Sequence, residues 1–200
     1  QGWEFIHGWL KRQDRSDGIV KSMLYVAESD PHGPGAHILR TTEGIYMCCA
    51  SQRCDDANQW RLYAGGGRGY AIEIDPLVPL TTALDESPER GSEPSDSFSR
   101  EFAEAFDTVS VSPWLKVLYT AEEKETALTK LLNDAQQERD HISENAVDAD
   151  DYQEQSDIAD AEMLGHLAQL AQLMKSEGFA GESEYRVIVS DWFDRHQNFR

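Results

Sequence analysis

The sequence has few basic residues, few cysteines and no long apolar run. Its 18 lysines and arginines face 37 aspartates and glutamates, so the formal net charge is −19, and nonspecific binding of nucleic acid or anionic lipid by the whole surface is excluded. The three cysteines are too few for a disulfide framework, and no histidines stand beside them at zinc-ligand spacing. The longest apolar stretch without a charge, 163–174, is far shorter than the roughly 20 residues of a membrane span. These absences predict a cytoplasmic protein with no metal and no membrane partner.

What remains is a composition typical of a globular domain. The chain has 200 residues, of which 40% are hydrophobic and 10% aromatic, which is enough to bury a sizeable core. We therefore predict a single domain over 1–200. Position 1 is Gln rather than Met, so we expect the chain to be a fragment of a longer protein.

Hydrophobic periodicity predicts both helices and strands. Apolar residues at helical spacing predict helices at these places: two within 3–27, one over 55–64, one through 128–142 and one over 158–174. Short β-prone runs bounded by polar residues predict strands at 44–50, 70–74, 115–119 and 183–189. The predicted fold is α+β, with short mixed or antiparallel sheets that form a cleft and several amphipathic helices that flank it.

Acidic residues are concentrated in two segments. Residues 85–107 hold eight acids against two arginines, and residues 140–160 hold eight acids and no lysine or arginine. The first composition is typical of an exposed, mobile insertion, and the second of a solvated helix face or connector.

A glycine-rich stretch, 65–69, follows a predicted helix that carries two aromatic residues. Four glycines in five residues allow a sharp turn or close approach to a ligand, and a tight connection alone also explains them. They do not form a Walker loop, because no Gly-Lys-Ser/Thr follows. Trp60 and Tyr63 lie three residues apart, on nearly one helix face. Such a pair packs in a core or, beside Arg61 and Arg68, stacks on a heterocycle and pairs with phosphate.

A second cluster opens the last predicted strand. Glu182 and Glu184 are two residues apart and so point to one face, where two carboxylates can share acid and base work or stabilise an oxocarbenium-like centre. Arg186 lies on the same face and can pair with either glutamate. An exposed acidic edge with no catalytic role is the other interpretation.

Together these clusters resemble a bacterial family, the domain of unknown function 2971. Residues 49–72 follow the family's order of Cys-Phe-Ser, acidic residues, Ser-Gln-Trp-Arg-x-Tyr-Ala, glycines and Gly-x-Ala-Ile, with Ala50 in place of the phenylalanine. The family's later strands, Lys-Val-x-Tyr and Glu-x-Glu-aromatic-Arg, are similar to residues 116–119 and 182–186. The resemblance covers about residues 44–190. The family's opening strand, with a His-Tyr-Thr-like motif, has no counterpart and is expected before Gln1.

The resemblance implies distant kinship with ADP-ribosyltransferases, with NAD as the substrate and a protein or nucleic acid as acceptor. It implies that Glu184, with Glu182 beside it, stabilises positive charge at the anomeric carbon when nicotinamide leaves. Tyr63 would pack on nicotinamide, with Ser51 as the alternative for this role. The other residues implied to bind NAD are Ser51, Trp60, Arg61, Arg68, Gly69 and Arg186. The expected function is ADP-ribosyl transfer or NAD hydrolysis by a toxin or defence effector.

A second hypothesis belongs to a different class of function. The acidic surface would engage a basic protein partner of a bacterial defence or regulatory system, and the aromatic and glutamate clusters would be packing and edge features without catalytic chemistry. The acceptor or partner is not identified by any motif.

Overall fold

A computed structural model describes residues 1–14, 16–28, 45–64, 69–80 and 110–190 of the chain. The helices are α1 (Gly2–Leu10), α2 (Gly18–Glu28), α3 (Ala57–Tyr63), α4 (Ala121–Asn145) and α5 (Ala149–Leu173), and a 3₁₀ helix covers Glu177–Glu182. The strands are β1 (Ile45–Ser51), β2 (Ser110–Val111), β3 (Leu115–Lys116) and β4 (Glu184–Ser190).

The contacts divide the chain into two compact units, one from Gln1–Leu39 and Val117–Ala180, the other from Arg40–Lys116 and Gly181–Arg200. The single-domain expectation stays a prediction.

Local capping side chains fix where three helices of the first unit begin. The Asp17 carboxylate accepts hydrogen bonds from the amides of Ile19 and Val20 at the start of α2. Thr120 and Glu123 form a reciprocal capping box at the start of α4, and Asp148 accepts from two amides of α5. Each cap satisfies amide donors that a helix leaves unpaired at its first turn, so the sequence itself sets these boundaries.

The core of the first unit lies between the apolar faces of α1, α2, α4 and α5. An added Cβ on Gly2 would lie 2.0 Å from the carbonyl oxygen of Ala171, so α1 approaches α5 too closely there for any side chain. The Lys124 ammonium lies 5.2 Å from the ring centroid of Phe5, which gives this buried charge a favourable contact. The buried cluster comprises Ile6, Trp9, Leu10, Ile19, Val20, Met23, Leu24, Leu128, Met163, Leu164, Leu167, Ala171 and Met174.

The second unit contains one antiparallel sheet built around β4. β1 pairs along all seven residues of β4, from Ile45 opposite Ser190 to Ser51 opposite Glu184. β2 and β3 both pair with the other edge of β4. β4 is the central strand, and its residues Val187 and Ile188 are buried.

Pro113 separates β2 from β3. Proline has no amide hydrogen and cannot donate to the neighbouring strand. The side chain of Ser112 compensates at this break, since its Oγ accepts a hydrogen bond from the amide of Ile188 at 2.8 Å. The predicted strand over 115–119 is reduced to the two residues of β3, followed by a single bridge between Leu118 and Met174.

The predicted α+β class, with short antiparallel strands and flanking amphipathic helices, is confirmed. The prediction of a strand over 70–74 is wrong, because these residues lie in no strand or helix. A β-prone sequence forms a strand only where a neighbour supplies the ladder, and no hydrogen bond joins the backbone of 70–74 to another described residue.

The two acidic segments have different outcomes. Residues 140–160 span the end of α4, a short connection and the first half of α5, and most of them are exposed, so the prediction of a solvated face is confirmed. Arg139 bridges the two helices beside this segment, with its Nη2 2.6 Å from Oδ1 of Asp160. Residues 85–107 lie outside the described residues.

Candidate functional site

The register of β1 and β4 places four chemically distinct side chains on one face of the sheet. Ser51 lies opposite Glu184, and Cys49 lies opposite Arg186. Directly paired residues of an antiparallel sheet project to the same side, as do residues two apart along one strand. We call Cys49, Ser51, Glu184 and Arg186 the polar sheet cluster.

A buried ion pair forms the centre of the polar sheet cluster. Arg186 Nε donates to Glu184 Oε1 at 2.8 Å and its Nη2 donates to Oε2 at 3.3 Å, so the contact is bidentate. The two side chains are only 12% and 9% exposed. Burial lowers the pKa of Arg186, but the hydrogen bonds and negative charge of Glu184 outweigh it and leave the pKa above its usual value. The predicted alternative in which Arg186 pairs with one glutamate is confirmed for Glu184.

Cys49 is held as a neutral thiol beside this ion pair. Cys49 is exposed at the sheet surface, but partial desolvation of its thiol, a hydrogen bond to Glu184 and the charge of that carboxylate together raise the pKa of the thiol to about 11. The positive charge of Arg186 opposes the shift only in part. Because the thiolate is the reactive form of cysteine, Cys49 is a poor nucleophile at neutral pH. It acts here as a hydrogen-bond donor to Glu184.

Ser51 uses its hydroxyl group to close the end of the sheet. Its Oγ donates to the carbonyl oxygen of Glu182 at 2.7 Å and accepts from the amide of Arg53 at 3.1 Å. Since a hydroxyl group has only one proton to donate, this proton is committed to the backbone. The geometry gives Ser51 a structural role at the junction of β1 and β4, and its predicted part in NAD binding stays a prediction.

Glu182 and Glu184 do not share a strand face. Glu182 ends the 3₁₀ helix, and Ser183 has a φ of 45°, in the left-handed region that residues other than glycine rarely adopt. This conformation interrupts the period-two alternation that the paired-carboxylate prediction assumed. Only Glu184 is buried, so the prediction of two glutamates side by side on one strand face is wrong.

The aromatic residues of α3 lie at the surface. Asp56 caps this helix through the amide of Asn58. Trp60 is 37% exposed and its Nε1 donates to Asp55 at 2.9 Å, whereas Tyr63 is 72% exposed. Arg61 is also exposed. Tyr63 makes no hydrogen bond or ring contact with any described residue, and neither aromatic residue belongs to the core.

The chain after α3 exposes a run of large apolar side chains. It starts at Gly69, where an added Cβ would lie 2.8 Å from Cβ of Ala64 at the end of α3. Arg68, the other residue predicted in this loop, lies outside the described residues. The exposed fractions are 99% for Tyr70, 84% for Ile72, 40% for Ile74, 88% for Leu77 and 57% for Val78. We call residues 70–78 the apolar segment.

The structure thus brings together some of the predicted site residues and not others. Ser51, Glu184 and Arg186 share one sheet face. Cys49, their neighbour, was not among the predicted site residues, because strand register is not visible in sequence. Trp60, Arg61 and Tyr63 lie together on α3, with no hydrogen bond to that cluster. Residues 70–74 of the apolar segment were predicted as a strand from their alternating β-prone residues, and no sequence signal indicated that the segment is exposed.

Two classes of feature are not found in the described part of the chain. No group of three histidine, cysteine, aspartate or glutamate side chains could hold a metal ion there. None of the described helices combines the length and apolar character needed to cross a membrane.

Comparison with known proteins gives one match. The model of a family described as "Protein of unknown function (DUF2971)" matches residues 59–187, which is well over half of the chain. The matched range contains most of α3, the apolar segment and the first four residues of β4, among them Glu184 and Arg186. No curated protein and no solved structure matches.

Proposed function

The chain belongs to the family of proteins of unknown function DUF2971, and from this premise we propose that it is a non-catalytic protein–protein interaction module. The observation that carries the proposal is the exposure of the apolar segment, where three of nine consecutive residues are large apolar side chains more than 80% exposed. Single exposed apolar residues are ordinary, but a contiguous group typically marks an interaction site.

The polar sheet cluster supports the same proposal. Glu184 is held by Arg186 in a bidentate ion pair, Cys49 is a neutral thiol, and Ser51 bonds the backbone. The hydrogen-bonding groups of these side chains are therefore engaged by other groups of the protein. A carboxylate that must stabilise a developing positive charge is weakened when a guanidinium already neutralises it. The cluster fits the role of a sheet-stabilising element.

Photo-crosslinking in the native cell tests this proposal. A crosslinking amino acid at position 72 is expected to give a covalent adduct with another protein, because Ile72 lies in the proposed contact surface. The matched control is position 147, since Val147 is 88% exposed on the connection between α4 and α5 and should give no such adduct. The adduct, identified by mass spectrometry, should form again with the purified partner. Equal labelling at both positions, or none at either, would contradict the proposal.

A second candidate function is ADP-ribosyltransferase-like transfer or NAD hydrolysis by a toxin or defence effector. One observation favours it: Glu184 is the one acidic residue among the buried residues that the structure describes, and its orientation is fixed. In this hypothesis Glu184 stabilises an oxocarbenium-like centre, while Tyr63 with Trp60 and Arg61 contacts NAD. The cytoplasmic location and the protein or nucleic-acid acceptor are predictions of the same hypothesis.

Nicotinamide release from NAD by the full-length protein separates the two candidates. The interaction module releases none above the buffer background. The enzyme releases nicotinamide, and Glu184→Gln lowers the rate about 10²–10³-fold, because one preorganised electrostatic contact to the transition state is lost. Tyr63→Ala raises KM more than it lowers kcat. Circular dichroism must show that Glu184→Gln is folded, and equal rates for this variant and the wild type would exclude Glu184 as the catalytic carboxylate.

A further inference from the structure

Residues 70–75 of the apolar segment have the sequence of a β-strand but no strand partner among the residues that the structure describes. Tyr70, Ile72 and Ile74 are β-prone residues at alternate positions, and Ala71 and Glu73 lie between them. Among the described residues none forms a hydrogen bond with the backbone from 70 to 74. Six residues, 70–75, are available before Pro76, which is about the usual length of a strand.

A turn in the structure marks where this potential strand would end. Asp75 Oδ1 accepts a hydrogen bond from the amide of Leu77 at 2.9 Å, and the carbonyl oxygen of Asp75 accepts from the amide of Val78 at 3.1 Å. These bonds form a turn that follows directly on residues 70–75. A partner strand would therefore pair with 70–75 and stop at the turn.

We propose that residues 70–75 bind a partner protein by strand addition, and that the occupant is a basic edge strand. This inference rests on the proposed interaction function and names the class of partner. In an added strand, successive side chains point to opposite faces. Tyr70, Ile72 and Ile74 would form an apolar face, and Glu73 and Asp75 would lie on the other face.

Charge decides between a second copy of the chain and a basic partner. The apolar segment carries two acids and no basic residue, on a chain whose formal net charge is −19. Two copies would bring like charges together, which opposes association. A partner strand with lysines opposite Glu73 and Asp75 and apolar residues opposite Ile72 complements both faces. Edge strands of soluble proteins often carry lysine.

Synthetic peptides serve as the probe, because the natural partner is not identified. A fluorescent peptide of about eight residues, with alternating valine and lysine, is titrated with the full chain, and its anisotropy is measured. We expect saturable binding that weakens as salt rises. A peptide with glutamate in place of lysine is expected to bind at least about tenfold more weakly, and a peptide with a central proline should lose affinity because it cannot pair along its length.

Variants of the chain test the mode of binding. Ile72→Asp should weaken binding about 10-fold to 100-fold through lost apolar burial. Ile72→Pro should weaken it by at least about fivefold, because the amide donor is lost, while Ile72→Val should stay close to the wild type. Val147→Asp is the control for an equally exposed apolar side chain, and it should bind normally.

The outcomes separate this inference from the proposed function. Three results would overturn strand addition to a basic partner. They are equal binding of the lysine and glutamate peptides, no saturable binding of the lysine peptide, and normal peptide binding by Ile72→Pro. In those cases a crosslink formed at position 72 would still support the proposed interaction function, although strand addition had failed. A dimer in analytical ultracentrifugation that Ile72→Asp abolishes would assign the segment to a second copy and overturn the basic partner.

Discussion

Replacing Arg186 with methionine is expected to lower the free energy of unfolding by about 3–5 kcal/mol. The substitution removes the guanidinium that donates two hydrogen bonds to Glu184. It leaves a carboxylate that is 9% exposed without its charged partner, and an uncompensated buried charge is far more costly than an exposed one. Urea denaturation followed by circular dichroism measures the change.

Two further variants make this result specific to the buried pair. The double variant Glu184→Leu with Arg186→Met removes both charges and should be clearly more stable than Arg186→Met alone, because no unpaired charge remains. Arg12 pairs with Glu125 at 2.8 Å, but these side chains are 58% and 48% exposed. Arg12→Met should therefore cost less than about 1 kcal/mol. A loss of that small size for Arg186→Met would mean that the sheet does not depend on the ion pair.

Leu167→Ala is expected to lower the free energy of unfolding by about 2–5 kcal/mol. Leu167 lies in the second half of α5, is completely buried and belongs to the core of the first unit. The change removes apolar contacts within this core and leaves a cavity that neighbouring side chains fill only in part. Thermal denaturation and urea denaturation should both report the loss.

The same substitution at an exposed leucine is the control. Leu77 is 88% exposed in the apolar segment, so Leu77→Ala should change stability by no more than about 0.5 kcal/mol. A large destabilisation by Leu77→Ala would show that the apolar segment is packed in solution, and the proposed docking surface would then have no free area. The pair of leucine variants thus tests the core and the surface together.

The polar sheet cluster illustrates why a site cannot be assigned from residue types alone. Sequence spacing placed Glu182 and Glu184 on one face as a carboxylate pair, and the structure separates them through the left-handed backbone at Ser183. The partner of Glu184 is Arg186 on its own strand, and its other neighbour is Cys49 on β1. The guanidinium of Arg186 neutralises the carboxylate, and for this reason we propose an interaction module rather than NAD chemistry.

The helices were the most predictable part of the chain. Two helices before residue 29, the short helix α3 and the apolar stripes of α4 and α5 could all be inferred from the spacing of apolar residues. The boundary between α4 and α5 inside the acidic segment was less visible, although Asp148 caps α5. The strands were predicted less well: 44–50 and 183–189 are confirmed within a residue, 115–119 is reduced to two residues and 70–74 is not a strand.

The sequence by itself determined the acidic character of the chain, the positions of its helices and the identity of the residues that line β1 and β4. Helices follow from sequence because their hydrogen bonds and caps join residues only a few positions apart. Only the tertiary structure decided that Ser51 lies opposite Glu184 and that no strand of the described part of the chain pairs with residues 70–74. A strand needs a partner from a distant part of the chain, and whether that partner is present depends on how the whole molecule folds.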